Sequence, residues 1–532
     1  MRKLFLSALF ASVVLTGCSD AYDINQYGIV TNEQHVFRTP ADIQKGLSYV
    51  YALFPGESEI NFDSYFTDEL GVGFANAGQG INDGSYTFTL LAGNSDVQSI
   101  WGSYYGVVNR LNRMLNRIDE MLLEANATDT ASLNTHKAHA LALRAYCHYK
   151  LFAFFTPDYT NPNGLSVIKF DFLQTDDYTR FEKRSTVGEI VAFIESDIAT
   201  AKALVVTPEG NPGSLSVDGV LAGTGYASNA MMNAVLIKMY SMLQTNDAYG
   251  KLETAFNELV AKDQKALADV GTYLSMFGSS ADAALTEGIF KLNRVSTDGT
   301  VQSGVASSWY ATEVGTAPYM EMGRSLYNEL DKLEPSQQGQ PYSFDRKEAR
   351  YVVSVLNTST VIPGYASLSQ EEYFEQDRLL IGKYDGQAIS NRPLMASLWM
   401  FRYTDMLLAI AEKRAYEGDL EGVKSIIEEI RINRNIDSDG TALAMPTDFS
   451  SQQAAYARIL EERRVEFAFE GQRYLDMKRL GVKAGSPGFV RDAQDCASTN
   501  ACQLEPSSTK LTMPIPRSEM VSNPNMVQNP GY

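Results

Sequence analysis

Residues 456–480 form a run that fits only the interior of a helical protein. At about 100° per residue, Leu460, Phe467, Gly471 and Tyr474 share one helix face, and Val465, Phe469 and Leu480 share another. A helix that is apolar on both sides is buried. Yet the same run holds Glu461, Glu462, Arg463, Arg464, Glu466, Glu470, Arg473 and Asp476. A charge taken out of water without a partner costs several kcal/mol, so these groups must be paired. Glu462/Glu466, Glu470/Arg473 and Arg402/Asp405 stand at spacings where helix side chains meet. The expectation is one long core helix over 456–480 and a structural, not catalytic, ion-pair network.

Helical periodicity recurs over 41–54, 97–122, 133–155, 187–204, 227–243, 252–260, 398–416 and 420–432. Thr186 with Glu189 makes a capping box for the helix starting at Val187. Thr156-Pro157 closes the helix that ends at Phe155. Helix pairs joined by short turns predict a mainly α fold of tetratricopeptide-like units, although no clean repeat of ~34 residues stands out. The apolar stretch 399–411 holds Arg402 and Asp405 and reads as a buried core helix, not a membrane span.

The N-terminus reads as an export signal. Arg2 and Lys3 precede an apolar run over 4–15, followed by Thr16, Gly17 and Cys18. The run is too short to span a membrane. Leu15-Thr16-Gly17-Cys18 matches a bacterial lipobox, in which the cysteine is acylated and becomes the first mature residue; the alternative is an ordinary signal beside a chance cysteine. On the lipobox reading, 1–17 is the signal peptide, 18–32 a lipidated polar tether and 33–532 one domain, with an N-terminal part 33–262 and a C-terminal part 263–532. Losing Arg2 and Lys3 takes the net charge from −19 to −21. That acidic balance argues against nucleic acid as a partner. Cys147 lies in a helical pattern and reads as a buried thiol, whereas Cys496 and Cys502 are either a local disulfide or two free thiols.

Two long irregular stretches, 71–96 and 276–320, are rich in Gly or Ser/Thr and hold aromatics. Loops of that length in a compact domain are functional or disordered, and the aromatics favour function. A sugar ring offers an apolar face to Tyr or Trp and hydroxyls to Asn, Gln or Arg. The candidate ligand-binding residues are Phe74, Asn76, Tyr86, Trp309 and Tyr310 in these stretches, with Trp101 and Tyr104 just beyond the first; Trp101 opens an amphipathic helix and serves core packing equally well. Catalysis and metal binding have weaker support. Of the four histidines, His136 and His139 share a helix face, but no third ligand accompanies them, and His35 and His148 stand apart. Asn435-Ile-Asp437-Ser-Asp439-Gly440 begins like a calcium loop, but its twelfth position is Pro446 instead of a bidentate Glu. No nucleophile elbow or phosphate loop is present, and a glycosidase carboxylate pair cannot be singled out among 64 acidic residues. No catalytic residue, cofactor or metal is assigned.

Several motifs together resemble the SusD/RagB family of outer-membrane nutrient-binding lipoproteins. They are the lipobox at Cys18, Trp101-Gly-Ser-Tyr-Tyr105 with Asn109, Ala142-Leu-Arg-Ala-Tyr146, Arg184-Ser-Thr-Val187, Glu287-Gly-Ile-Phe290, Lys383-Tyr384, the segment from Arg402 to Glu412, and Ile430-Arg431. Most specific are Leu460-Glu-Glu-Arg463-Arg-Val-Glu466 with Glu470-Gly-Gln-Arg473 and Asp476, and the ending Met513-Pro-Ile-Pro516…Asn529-Pro-Gly-Tyr532. Asp405 stands where the family pattern leads one to expect Glu, and Thr156-Pro157 replaces Tyr-Gly. The resemblance implies helix pairs packed against a loop-rich ligand-binding half. It also implies a lipid-anchored surface protein that captures oligosaccharides, or peptides in the RagB branch, for a SusC-like TonB-dependent barrel transporter. A surface hydrolase acting on the same nutrient is the competing class, and an adhesive subunit with no soluble ligand a third.

Overall fold

The computed structural model describes residues 36–82, 84–173, 180–205, 223–277, 286–294, 304–311, 313–341, 345–384 and 394–532. The signal, the tether, Cys18 and His35 lie outside the described residues.

Helix α1 (Pro40–Ala52) starts from a capping box in which Thr39 accepts from the Asp42 amide and Asp42 accepts in return. Helix α2 (Gly56–Phe66) follows directly and buries Glu59 and Asp63 along with Ile60, Phe62 and Phe66. Its acids interrupt any apolar stripe, which is why periodicity does not reveal it. Then come α3 (Ser95–Leu122), α4 (Ala127–Phe155), α5 (Val187–Leu204), α6 (Asn229–Leu243), α7 (Asn246–Ala261), α8 (Tyr403–Glu417), α9 (Leu420–Ile432), α10 (Gln452–Glu466) and α11 (Arg473–Leu480). Thr186 and Glu189 form the expected box at the start of α5. Gly418, in the left-handed region at φ 82°, ends α8 and allows the tight turn into α9. Neighbouring helices pack as pairs, α3 on α4, α4 on α5, α6 on α7 and α8 on α9, and α10 lies against α8 and α9. The fold is mainly α with tetratricopeptide-like pairing.

Among the described residues, strands are short. β1 (Leu70–Val72), β2 (Gly288–Leu292), β3 (Met320–Met322), β4 (Leu398–Arg402), β5 (Phe489–Val490) and β6 (Gln503–Leu504) pair antiparallel as β1 with β3, β2 with β4 and β5 with β6.

Two sequence expectations are corrected. Residues 398–402 are strand β4, and the helix begins only at Tyr403. Every residue of β2 and β4 is buried, and a continuous apolar run does not distinguish strand from helix. The expected helix over 456–480 is two helices, separated by a turn in which Phe469 and Gly471 take φ values of 61° and 71°. A Cβ at Gly471 would lie 3.2 Å from Ile60 Cγ1, so the glycine also permits close approach to α2.

Most buried charges of this region pair over long sequence distances; Asp476 with Arg479 and the more exposed Arg458 with Glu461 pair at helix spacing. Glu466 faces Arg402 and Arg434 at 3.0 and 2.9 Å, Glu462 faces Arg350 and Arg431 at 2.5 and 2.7 Å, and Glu470 faces Lys383 and Arg402 at 2.7 and 2.8 Å. With Glu287 and Glu348, five carboxylates meet five cations in one buried, charge-balanced network. A second buried chain runs Lys238–Asp405–Arg463–Asp476–Arg479–Glu412, again alternating in sign. Asp405 thus keeps an ion-pair role despite its short side chain.

Candidate functional site

Strands β1 and β3 bring the two irregular stretches together. Their ladder continues where Gly73 N–H donates to Tyr319 O at 3.0 Å and Ala75 N–H to Pro318 O at 3.1 Å. A Cβ at Gly73 would fall 2.4 Å from Pro318 O, so only glycine allows this approach. The Asn76 amide donates to Tyr319 O and Gln79 O at 2.9 and 3.0 Å, tying one loop to the other. Trp309 O accepts from Tyr319 N–H at 2.7 Å and closes the second loop on itself.

Helix α2 and the N-terminus of α3 complete an open cleft of about 510 Å³. From α2 come Asn61 and Tyr65; the Tyr65 hydroxyl donates to Ser308 O at 2.8 Å. Asn94 and Asp96 come from the start of α3, and Ser85 donates to Asp96 Oδ2 at 3.0 Å. Gln79 and Tyr319 complete the wall from the paired loops. Tyr65 and Tyr319 are half-buried. Burial, with the Asp96 charge, pushes the Tyr65 phenol up to about 12, so it stays a donor. Burial raises the Asp96 carboxyl, opposed by the Ser85 hydroxyl. Asn61 Oδ1 is buried with no protein partner. Two aromatic rings, three amides, hydroxyls and a carboxyl make a surface suited to a polyhydroxylated ligand with apolar faces.

Most of the aromatics expected at a ligand lie in the core instead. Trp309 is 0 % exposed between Tyr384 and Phe469. Tyr310 is buried and donates to Ile381 O at 2.9 Å. Tyr104 is buried with its hydroxyl on Glu59, which also holds Lys150 at 2.6 Å, and Trp101 packs on Tyr105 and Phe155. A ring closed in on both faces cannot stack on a ligand. These four are corrected to scaffold, because the large apolar areas that suggested stacking are also the areas the core buries most profitably. Asn76 is a strut between the loops. Tyr86 lines the cleft by an edge, but its ring is buried over Arg491 at 4.0 Å and its hydroxyl donates to Asp495 O at 3.1 Å. Phe74 is 44 % exposed outside the cleft, with the Arg378 guanidinium over its ring at 4.2 Å. The sequence does not single out Tyr65 and Asn61, because α2 has no apolar stripe, and Tyr319 is one aromatic of the 276–320 stretch beside the larger Trp309.

Other candidates are accounted for. His139 Nδ1 meets the Tyr51 hydroxyl at 2.9 Å, His148 Nδ1 meets Arg144 O, and burial lowers His136 to about 4. Asn435 and Asp439 hydrogen-bond to each other at 3.0 Å, and no cluster able to hold a metal occurs among the described residues. Cys496 and Cys502 are joined in a disulfide, and Cys147 is a buried thiol. A larger cavity of about 660 Å³ lies beside the short helix Arg324–Asp331. Its cations are already committed, Arg324 to Asp377 at 2.9 Å and Arg464 to Asp68 at 3.1 Å, and Arg324 covers the Tyr365 ring at 3.8 Å. The smaller cleft differs in joining both irregular loops to α2 and the start of α3, with the buried Asn61 Oδ1 left without a protein partner.

Known proteins share this architecture. Residues 223–532 match the model of the SusD family, and residues 31–210 match a model described as "Starch-binding associating with outer membrane". SusD-like protein P2 of Formosa agariphila is 25 % identical over 570 aligned residues, covering 100 % of both chains. A SusD superfamily protein from Bacteroides thetaiotaomicron superposes with a TM-score of 0.68 at 21 % identity, over 92 % of this chain and 100 % of that one. A SusD-like carbohydrate binding protein from Bacteroides vulgatus gives a TM-score of 0.67 at 17 % identity, over 92 % of this chain and 97 % of that one. With a family model spanning more than half its length, and with the helix pairs and loop layer in place, the chain belongs to the SusD family.

Proposed function

We propose that this protein is a non-catalytic, lipid-anchored outer-membrane lipoprotein that captures oligosaccharides in the Asn61–Tyr65–Tyr319 cleft and delivers them to a SusC-like TonB-dependent barrel transporter. The observation that carries the reading is the cleft itself, where two tyrosine rings stand beside amides and hydroxyls in a polar pocket of about 510 Å³. Family membership, the carbohydrate-binding relative and the outer-membrane wording of the matched model support it. Cys18 is the anchor in this reading, 18–32 the tether, and 33–532 one binding unit. The unity of that unit is supported by Arg473 of α11 reaching Asp68, just beyond α2, at 2.9 Å. A peptide ligand is the alternative of the RagB branch; the cleft's hydroxyl- and amide-rich wall favours sugar.

The test is a glycan array followed by calorimetry with Tyr319→Ala. Losing one stacking tyrosine is expected to weaken the best glycan by roughly three- to tenfold, in line with about 0.5–1.5 kcal/mol for aromatic contacts. Unchanged affinity in a folded variant removes the cleft from the reading, and peptide binding without glycan binding replaces sugar with peptide.

A further inference from the structure

The cleft wall has a charge pattern that bears on which glycans it accepts. Among the described residues lining it, the single ionisable side chain besides the tyrosines is Asp96, and no Lys or Arg is present. Asp96 forms no ion pair among the described residues; Ser85 holds its Oδ2 at 3.0 Å, and it stands in the first turn of α3. Nearby cations are spent elsewhere. Arg491 lies behind the Tyr86 ring at 4.0 Å, with its N–H groups on the carbonyls of Tyr65, Thr67, Tyr86 and Ala501. Arg378, over Phe74, stands outside the cleft lining. A carboxylate or sulfate entering here would meet a like charge with no cation to offset its lost hydration. A hydroxyl or an ammonium would find an acceptor.

On the reading of this cleft as the glycan site, we infer that it takes neutral oligosaccharides, and among charged ones those bearing amino groups, with Asp96 as the residue that turns away carboxylated and sulfated glycans. Carboxylate recognition ordinarily uses Arg in a bidentate fork, and the described residues of this wall include none.

The experiment uses the full chain on an array holding neutral, amino-bearing, uronate and sulfated oligosaccharides. Calorimetry then compares the best neutral ligand with its uronate counterpart. The expected result is a neutral-to-uronate affinity ratio of roughly ten or more, falling to about three or less in Asp96→Asn. Should that variant fail to fold, salt gives the same reading on the natural chain. Screening lifts a like-charge penalty, so uronate affinity rises between low and high ionic strength while neutral affinity stays level. Anionic glycans binding best, or a ratio indifferent to both Asp96→Asn and salt, overturns the inference. If those same glycans lose affinity in Tyr319→Ala, the cleft reading survives while the charge inference fails. An array with no binding, or binding indifferent to Tyr319→Ala, fails the cleft reading and the inference with it.

Discussion

In the helical body Arg402, Arg434 and Arg350 each face glutamates, whereas in the loop layer Asp495, Glu321 and Glu69 face backbone N–H groups. Both regions bury charge, but they settle it differently. In the body, burial alone would raise Asp405, yet Lys238 and Arg463 beside it hold it below the usual range; Arg463 and Arg479 do the same for Asp476. In the loop layer burial wins. Asp495 is pushed up to about 7 against hydrogen bonds from Arg324 N–H and the Tyr373 hydroxyl. Glu321 is pushed to about 8 against the amides of Leu379 and Phe74, and Glu69 to about 7 against the Phe469 amide. Ion pairs organise the helical body, whereas the loop layer combines a few ion pairs of its own, Arg324 with Asp377 and Arg473 with Asp68, with raised carboxyls whose hydrogen bonds position backbone. A binding surface assembled from loops gains from that arrangement, because carbonyl and amide contacts fix where a chain runs without adding a strong local field.

The largest expected effect tests the first half of this contrast. Glu466→Gln leaves Arg402 and Arg434 facing a neutral amide in the interior, and breaking a buried pair in this way costs about 3–5 kcal/mol. Urea denaturation at neutral pH reads it. A loss below about 1 kcal/mol would show that the network tolerates an uncompensated cation, and the body would no longer differ from the loops in kind.

The second prediction sets the two regions against each other by pH. Carboxyls depressed in the folded state, such as Asp405 and Asp476, lend stability above their unfolded value of 3.8 and lose it as pH falls through the folded one. Raised groups act in reverse: the contribution of Asp495, Glu69 and Glu321 is complete below 3.8–4.5 and is lost as pH rises through about 7 to 8. Thermal stability is therefore expected to fall on both sides, the acid limb belonging to the helical body and the alkaline limb to the loop layer. Asp495→Asn can keep both contacts, accepting from Arg324 N–H and donating to Tyr373. It should match the natural chain below about pH 4 and exceed it increasingly above that, by roughly 4 kcal/mol near pH 9, because Asp495 otherwise ionises inside the protein. An alkaline limb unchanged in Asp495→Asn removes that carboxyl from the account.

The same contrast explains what could be read from the sequence. Helix α5 was legible because Thr186 and Glu189 announce its start, and α9 because its apolar residues keep helical spacing. That the charges of 456–480 must be paired was also legible. Their partners were not, since Glu466 meets Arg402 from 64 residues away and Glu462 meets Arg350 from 112, and sequence spacing carries no such information. Strand β4 hid in an apolar run, and the break after α10 rests on a left-handed Phe469 that no propensity suggests. For the candidate cleft, both loops that the sequence marks as irregular contribute to its wall, but most of the residues the sequence singles out do not. Large rings point equally to a core and to a ligand, and here Trp309 and Tyr310 are the anchors from which the smaller Ser308 and Tyr319 reach the cleft.

The smallest effect concerns the disulfide, and it asks whether the two regions are independent. The ring closed by Cys496 and Cys502 supplies Ala501 O, which accepts from Arg491 Nη1 at 3.1 Å, and Cys502 O, which accepts from the Arg491 amide at 2.9 Å. Arg491 in turn holds the carbonyls of Tyr65 and Thr67 at about 3 Å beneath the cleft. Replacing both cysteines with serine frees a short loop, which removes about 2 kcal/mol of loop-closure stabilisation. If the loop layer is a separate unit, the loss is local. Hydrogen exchange should quicken at the Arg491 amide and in β1 and β3, while amides within α8 and α10 keep their protection. Equal loosening of α8 and α10 would mean that ion pairs and neutral contacts open as one cooperative block. The opposing treatments of charge would then describe two chemistries within a single folding unit, not two regions with their own stability.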